Sequence, residues 1–193
     1  MGRCMVERKS FSEMACPIAR SLEHVGEWWS MLILRDAFAG MTRFDQFQEN
    51  LGIAPNMLTR RLGTLVDAGM LARHLYNARP PRYEYRLTPR GHDFREVLLA
   101  FMAFGNRHFA PEGETVVIAD SRTGEKAEPV MIDAISGRRL NDTHFKLAAG
   151  PAATAEKHVL LTARQSSYLL AKRPPSYPAG LRTAAPASND DTT

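Results

Sequence analysis

The sequence predicts a mainly α-helical fold with a small β wing, followed by a small β-hairpin module and a flexible C-terminal tail. Three observations predict it. Apolar residues recur at helical spacing in four successive segments between residues 17 and 68. Over residues 71–87 the period changes from about 3.6 to 2, as expected where a helix gives way to strands. From residue 148 on, the composition drifts to Ala, Pro, Ser and Thr, a mixture with too little apolar surface to form a core of its own.

Residues 1–15 read as a flexible polar arm. Pro17 opens a first helix to about Val25, because a first-turn position has no use for the N–H that proline lacks. Ile18, Leu22 and Val25 are its apolar stripe, and Gly26 breaks it. Residues 28–38, WWSMLILRDAF, are the most apolar stretch of the chain. Trp29, Leu32, Ile33 and Ala37 share one face while Trp28, Met31 and Leu34 crowd the other. A helix apolar nearly all round belongs at the centre of a core, with Arg35 and Asp36 expected at its exposed edge. After Gly40, Thr42 is the expected cap of a third helix whose Phe44, Phe47 and Leu51 face inward.

The turn Asn50-Leu51-Gly52-Ile53 leads into a fourth helix, opened by Pro55 and anchored by Leu58, Leu62 and Leu65. Its other face carries Asn56, Thr59, Arg60, Gly63 and Thr64, and Gly69 can take the left-handed conformation that ends a helix. Two short helices joined by a tight glycine turn make a helix-turn-helix, whose second member enters the major groove by its N-terminal end. Leu71, Arg73 and Leu75 then alternate with Ala72, His74 and Tyr76, and Tyr83, Tyr85 and Leu87 with Glu84 and Arg86. Between the two runs lies a stiff basic turn, residues 77–82, so this part reads as a hairpin wing. Thr88 and Pro89 cap and open a further helix with Phe94, Val97, Leu98, Phe101 and Phe104 on one broad apolar face. That is more aromatic surface than a small winged domain needs, and it is expected to pack on a second copy of the chain rather than only cover its own core.

Residues 111–147 change character. Val116-Val117-Ile118 and Val130-Met131-Ile132 are each followed by an Asp and a Gly turn, giving Asp120-x-x-Thr123-Gly and Asp133-x-x-Ser136-Gly. Both have the shape of a zinc knuckle with its cysteines replaced, and zinc wants thiolates or imidazoles. The segment is therefore expected to be a metal-free hairpin module. Beyond it, residues 154–170 could form one amphipathic helix through Val159, Leu160, Ala163 and Leu170, and from Pro174 the chain reads as a disordered tail.

Charge marks out one unit. Residues 54–90 hold seven arginines against Asp67 and Glu84, a net +5, in a protein whose formal total is +4. Clustered cations on one short segment are the footprint of a polyanion binder. Arginine suits forked bonding to phosphate or guanine. A solvated hairpin face would carry the same charge, but helix, wing and charge together favour double-stranded DNA. No apolar run approaches the ~20 residues of a membrane span, and no secretory signal is read at the N-terminus. With only Cys4 and Cys16 there is no disulfide framework, so a cytoplasmic protein is expected. No glycine-rich phosphate loop, nucleophile elbow or metal-ligand spacing is present, which speaks against an enzyme, a metal centre or a cofactor. The remaining alternative is a winged-helix protein-interaction module without specific DNA readout.

The candidate DNA contacts follow from residue type. Asn56 can pair with adenine, Arg60 or Arg61 with guanine, and Met57 or Thr59 can touch a thymine methyl. Thr42 and Arg43 stand at a helix N-terminus suited to phosphate. Arg73, Arg79 and Arg82 belong to the wing, whose tip would reach the backbone or the flanking minor groove.

Residues 16–110 resemble the HxlR-type winged helix-turn-helix regulators, relatives of the MarR group. The resemblance is carried by Cys16-Pro17, by Gly26-x-Trp28-Trp29 leading into Leu32-Ile33-Leu34-Arg35, and by Arg43-Phe44-x-x-Phe47. It continues through Asn56-Met57-Leu58-Thr59-Arg60-Arg61-Leu62 and Leu65-x-x-Ala68-Gly69-Met70-Leu71. It closes on Pro80-Pro81-Arg82-Tyr83-Glu84-Tyr85-Arg86-Leu87-Thr88-Pro89-Arg90-Gly91. Ala54 departs from the pattern, standing where a capping Ser or Thr is common. The resemblance implies a homodimer on a pseudo-palindromic operator. It also offers Cys16 as a sensor of thiol oxidation or of an electrophile or other small-molecule effector. A thiol near a helix start tends toward the thiolate, yet Cys16 reads equally well as a small apolar residue.

Overall fold

A computed structural model describes residues 10–14, 16–140 and 145–163. The contacts of the chain fall into two units, one up to Pro129 and one from Val130 on. The first contains α1 (Pro17–Val25), α2 (Trp28–Phe38), α3 (Phe44–Leu51), α4 (Pro55–Asp67), β1 (Leu71–Ala78), β2 (Pro81–Leu87), α5 (Pro89–Asp93), α6 (Arg95–His108), β3 (Ile118–Ala119) and β4 (Lys126–Ala127). The fold is mainly α with a small antiparallel wing, a winged helix-turn-helix.

Apolar periodicity places the core. Ile33 and Leu34 of α2, Phe47 of α3, Leu58, Leu62 and Leu65 of α4, and Leu71 of β1 are fully buried, and Val25, Ile53, Ala68 and Met70 complete the buried core. As expected, α2 is the central element, packed on α1, α3, α4, α6 and β2. Pro17, Pro55 and Pro89 each sit in a first helical turn. Gly52 and Gly69 take positive φ, 61° and 68°, where α3 and α4 end, and the Gly52 N–H bonds the Gln48 carbonyl at 2.9 Å.

Four local expectations are corrected. Asp36 is not at an exposed edge but only 2% exposed. Its carboxylate accepts from Asn50 Nδ2 at 2.8 Å and Arg35 Nε at 2.9 Å, so the charge enters the interior already paired. Trp28 is exposed although it belongs to the most apolar stretch; it lies at the start of α2, edge-on to Trp29. Thr42 does not cap α3. Arg43 is its N-cap residue, and the Gln46 side chain reaches back to accept from the Thr42 and Arg43 N–H groups at 3.0 and 2.9 Å. The described part of the N-terminal arm is fastened rather than loose: Phe11 N–H donates to Glu23 Oε2 at 2.8 Å and Arg20 Nε to the Met14 carbonyl at 2.7 Å.

The helix expected after the wing is broken once, at Phe94, into α5 and α6. Thr88 caps α5 by accepting from Gly91 N–H at 3.0 Å and donating to the Gly69 carbonyl at 2.6 Å. Gly91 is there for closeness, since a Cβ on it would stand 2.2 Å from the Met70 carbonyl oxygen.

After α6, the β3–β4 ribbon closes a turn over residues 120–125. Within the same unit, Asn106 Nδ2 donates to the Val116 carbonyl at 2.8 Å and Lys126 pairs with Glu114. The second unit repeats the turn thirteen residues on. Asp120 N–H bonds the Glu125 carbonyl and Gly124 N–H the Asp120 carbonyl; Asp133 with Arg138, and Gly137 with Asp133, do the same. Ala119 pairs with Lys126 in one copy and Ile132 with Arg139 in the other. Both glycines have positive φ. Each aspartate caps its own turn, and both carboxyls are held below the ordinary range, by the Arg122 side chain at Asp120 and the Ser136 hydroxyl at Asp133. The sequence alignment of the two motifs thus marks one turn made twice. The second unit also holds α7 (Ala155–Ala163). The expected continuation of this helix to Leu170, and the tail from Pro174, lie outside the described residues.

Candidate nucleic-acid interface

Helix α4 sorts its residues by angle. Leu58, Arg61, Leu62 and Leu65 form the buried stripe, while Asn56, Thr59, Arg60 and Gly63 lie on the exposed side. The outward groups are held locally. Asn56 Oδ1 accepts from Met57 N–H at 2.8 Å, supplying in part the capping that Ala54 lacks. Thr59 donates to the Pro55 carbonyl at 2.9 Å, and Arg60 NH2 to the Met57 sulfur at 3.2 Å. Met57 is half-buried against the core, so only part of it faces outward.

Arg61 is the clearest correction among the proposed base readers. It is 8% exposed, and its NH2 pairs with Glu27 Oε2 at 2.9 Å. Three residues after Leu58 and four before Leu65, it points into the subunit and does not face a groove. Its charge suggested the polar face; its angular position puts it on the apolar one.

The wing is an antiparallel pair in the register Leu71↔Leu87, Arg73↔Tyr85 and Leu75↔Tyr83, with a bulge at Tyr76. It is joined to the helix-turn-helix where α3 begins. Tyr85 N–H bonds the Thr42 carbonyl at 2.7 Å, the Arg43 and Glu84 backbones form an isolated antiparallel β-bridge, and the Arg43 guanidinium stacks 4.9 Å from the Tyr76 ring centroid. Burial raises the Tyr85 hydroxyl pKa, opposed by the nearby Arg73 charge. Arg73 lies over the Tyr83 ring at 4.5 Å. Arg79 and Arg82 are exposed at the wing tip. Because Gln46 already takes the Thr42 and Arg43 N–H groups, these two amides are not offered to a phosphate, which modifies the expectation for this helix start.

The charge that made residues 54–90 conspicuous is therefore divided. Arg61 is paired inside. Arg86 pairs with Glu84 at 2.7 Å, and Arg90 donates to the Ala68 carbonyl at 2.9 Å, capping the C-terminal end of α4. Arg60, Arg79 and Arg82 remain exposed, while Arg43 and Arg73 lie over aromatic rings. Gly63 is a feature that charge and motif did not bring out. It sits mid-helix on the exposed face, with open space where a Cβ would project, so nothing in its own chain requires glycine. A glycine inside a polar helical face was the signal available in the sequence.

The five residues expected at a dimer face divide as well. Phe94 and Leu98 pack against their own core, whereas Val97, Phe101 and Phe104 are exposed along α6 at positions i, i+4 and i+7. Ile18 and Leu22 of α1, expected inward, are exposed too. Cys16 is half-buried at the N-cap of α1. Among the described residues there is no group of three or more His, Cys, Asp or Glu placed to hold a metal ion, and no helix long and apolar enough to cross a membrane.

Comparison with known proteins agrees with this architecture. The profile of HxlR-like helix-turn-helix proteins matches residues 24–113. HTH-type transcriptional regulators of Mycobacterium bovis and Mycobacterium tuberculosis are each 38% identical over 135 residues, covering 69% of this chain and 85% of theirs. A solved structure described as a transcription factor of Pseudomonas aeruginosa is 51% identical, with a TM-score of 0.56 over 76% of this chain and 100% of that one. Another, PA1607, also described as a transcription factor, is 33% identical with a TM-score of 0.65 over 74% and 100%. The helix-turn-helix, its wing and these relatives together make the chain a member of the HxlR-like helix-turn-helix family of transcriptional regulators.

Proposed function

We propose that the protein is a sequence-specific DNA-binding regulator that acts in the cytoplasm as a homodimer on a pseudo-palindromic operator. One observation carries this reading: α4 turns Asn56, Thr59 and Arg60 outward on a helix braced by a wing whose tip presents Arg79 and Arg82. The helix supplies groups for base edges and the wing cations for phosphate, the division of labour that specific binding needs. In a titration of duplexes selected from a random library, affinity should fall steeply with salt and exceed that for a scrambled duplex. Salt-dependent binding without preference would leave a non-specific DNA binder, and no binding would leave the protein-interaction module.

Gly63 gives a sharper check. Gly63→Ala should stabilise the protein by up to ~1 kcal/mol, the helix-propensity difference, because a methyl there meets nothing in the chain. It should nevertheless weaken binding to the selected duplex several-fold, since glycine lets the helix backbone approach closely. A stabilised variant with undiminished affinity would remove Gly63 from the contact face.

Regulation is proposed to run through Cys16, half-buried at the N-cap of α1, a helix that also carries the exposed Ile18 and Leu22. Diamide should release the parent protein from DNA and leave Cys16→Ser bound; equal release of both in a gel shift rules the thiol out.

A further inference from the structure

We propose that Glu27 and Arg61 are positioning residues for the recognition helix: their ion pair sets the rotation of α4 about its own axis, and so decides which side chains DNA meets. The proposal rests on the DNA-binding reading above and adds to it two residues that touch no DNA.

Three leucines, Leu58, Leu62 and Leu65, hold α4 against the core with no exposed surface. Apolar burial is strong but non-directional, so it fixes the depth of the helix better than its roll. Arg61 lies in that same stripe. A guanidinium in such a place is costly to desolvate, and apolar residues of similar volume often serve stability as well or better. What it adds is direction. The 2.9 Å contact between Arg61 NH2 and Glu27 Oε2 is a charge-assisted hydrogen bond with a preferred line of approach. Glu27 is a fixed anchor: it is the N-cap residue of α2, its carbonyl accepts from Ser30 N–H at 2.9 Å, and its carboxylate belongs to a helix end that favours negative charge. The recognition helix is thus tied to the start of the central core helix.

The geometry shows why roll matters. At ~100° per residue, Asn56, Thr59, Arg60 and Gly63 lie about 160° to 260° round the axis from Arg61. A roll of about 20° at a helix radius of about 6 Å moves the outer side chains by about 2 Å, enough to take a donor out of hydrogen-bonding range of a base edge. Phosphate contacts from the wing would survive such a shift. Loss of the pair should therefore lower specificity while leaving non-specific affinity nearly intact.

The test compares the full-length parent, Arg61→Met, Glu27→Gln and the double variant on a duplex selected by the parent and on a scrambled duplex, across a salt series. Arg61→Met replaces the guanidinium by an apolar chain of similar volume. It should lose at least about tenfold of the ratio between selected and scrambled binding, with the salt slope unchanged. Glu27→Gln should lose part of the same ratio, and the double variant should be no worse than Arg61→Met, because both changes remove the contact the two residues share. Should Arg61→Met not fold, Glu27→Gln carries the test: it retains the arginine and must still lower the ratio. An unchanged ratio in the folded variants overturns the proposal. So does a salt slope that falls by about one with Arg61→Met, which would make Arg61 a phosphate contact. A parent that binds neither duplex refutes instead the DNA-binding reading beneath it.

Discussion

Arg60→Ala is expected to weaken binding to a selected operator by about 1–3 kcal/mol, roughly 5- to 150-fold, and to relax base preference at one position in each half-site. Arg60 is exposed one turn into α4, and among the described residues its guanidinium has the Met57 sulfur, at 3.2 Å, as a weak local acceptor, so moving it toward DNA breaks little. A bidentate bond to guanine is worth about that much discrimination. Folding should be nearly untouched, since an exposed helical arginine away from any network contributes within about 0.5 kcal/mol. The decisive measurement is affinity across a panel of single-base operator variants. A uniform loss on every sequence, with a salt slope reduced by about one, would make Arg60 a phosphate contact; no loss on any sequence would take α4 out of the interface.

Arg60 and Arg61 together show how far the sequence could be followed. Helix positions, the glycine stops and the alternating wing were legible because each expresses a period or a backbone preference that needs no knowledge of neighbours. Whether a charged residue points out or in depends on what lies across the core. Nothing adjacent to Arg61 announces that Glu27, thirty-four residues earlier, will stand 2.9 Å from its guanidinium. Asp36 was misplaced for the same reason, since its partner Asn50 is on another helix. Net charge over residues 54–90 overstated what this segment can offer to DNA, because Arg61, Arg86 and Arg90 are committed within the protein. The signature stripe of α1 erred in the opposite direction: Ile18 and Leu22 are apolar and periodic, yet they are exposed. Periodicity reports that a face will be buried; it does not say whether the covering surface belongs to the same chain.

That distinction underlies the largest effect expected here. Phe101→Glu should convert a dimer into monomers and lower operator affinity by a factor of about 10²–10⁴, the loss expected when two linked binding events become independent. Phe101 is 65% exposed, flanked on the same stripe of α6 by Val97 and Phe104, while Phe104 stacks edge-on with Phe109. The glutamate therefore faces solvent in an isolated subunit and should leave its folding within about 0.5 kcal/mol of the parent. In a dimer the same carboxylate would be driven into an apolar contact without a partner, which is far more costly. Phe94→Ala and Leu98→Ala serve as the contrast. Both residues pack on their own core, so these changes should lower the melting temperature before they alter the assembly. Sedimentation equilibrium with DNA titration separates the cases. A Phe101→Glu protein with the parent's mass and affinity would move the second copy to another surface, with the exposed Ile18 and Leu22 of α1 the next to be altered. A monomeric parent that still prefers its selected duplex would instead mean that one helix and one wing suffice for recognition.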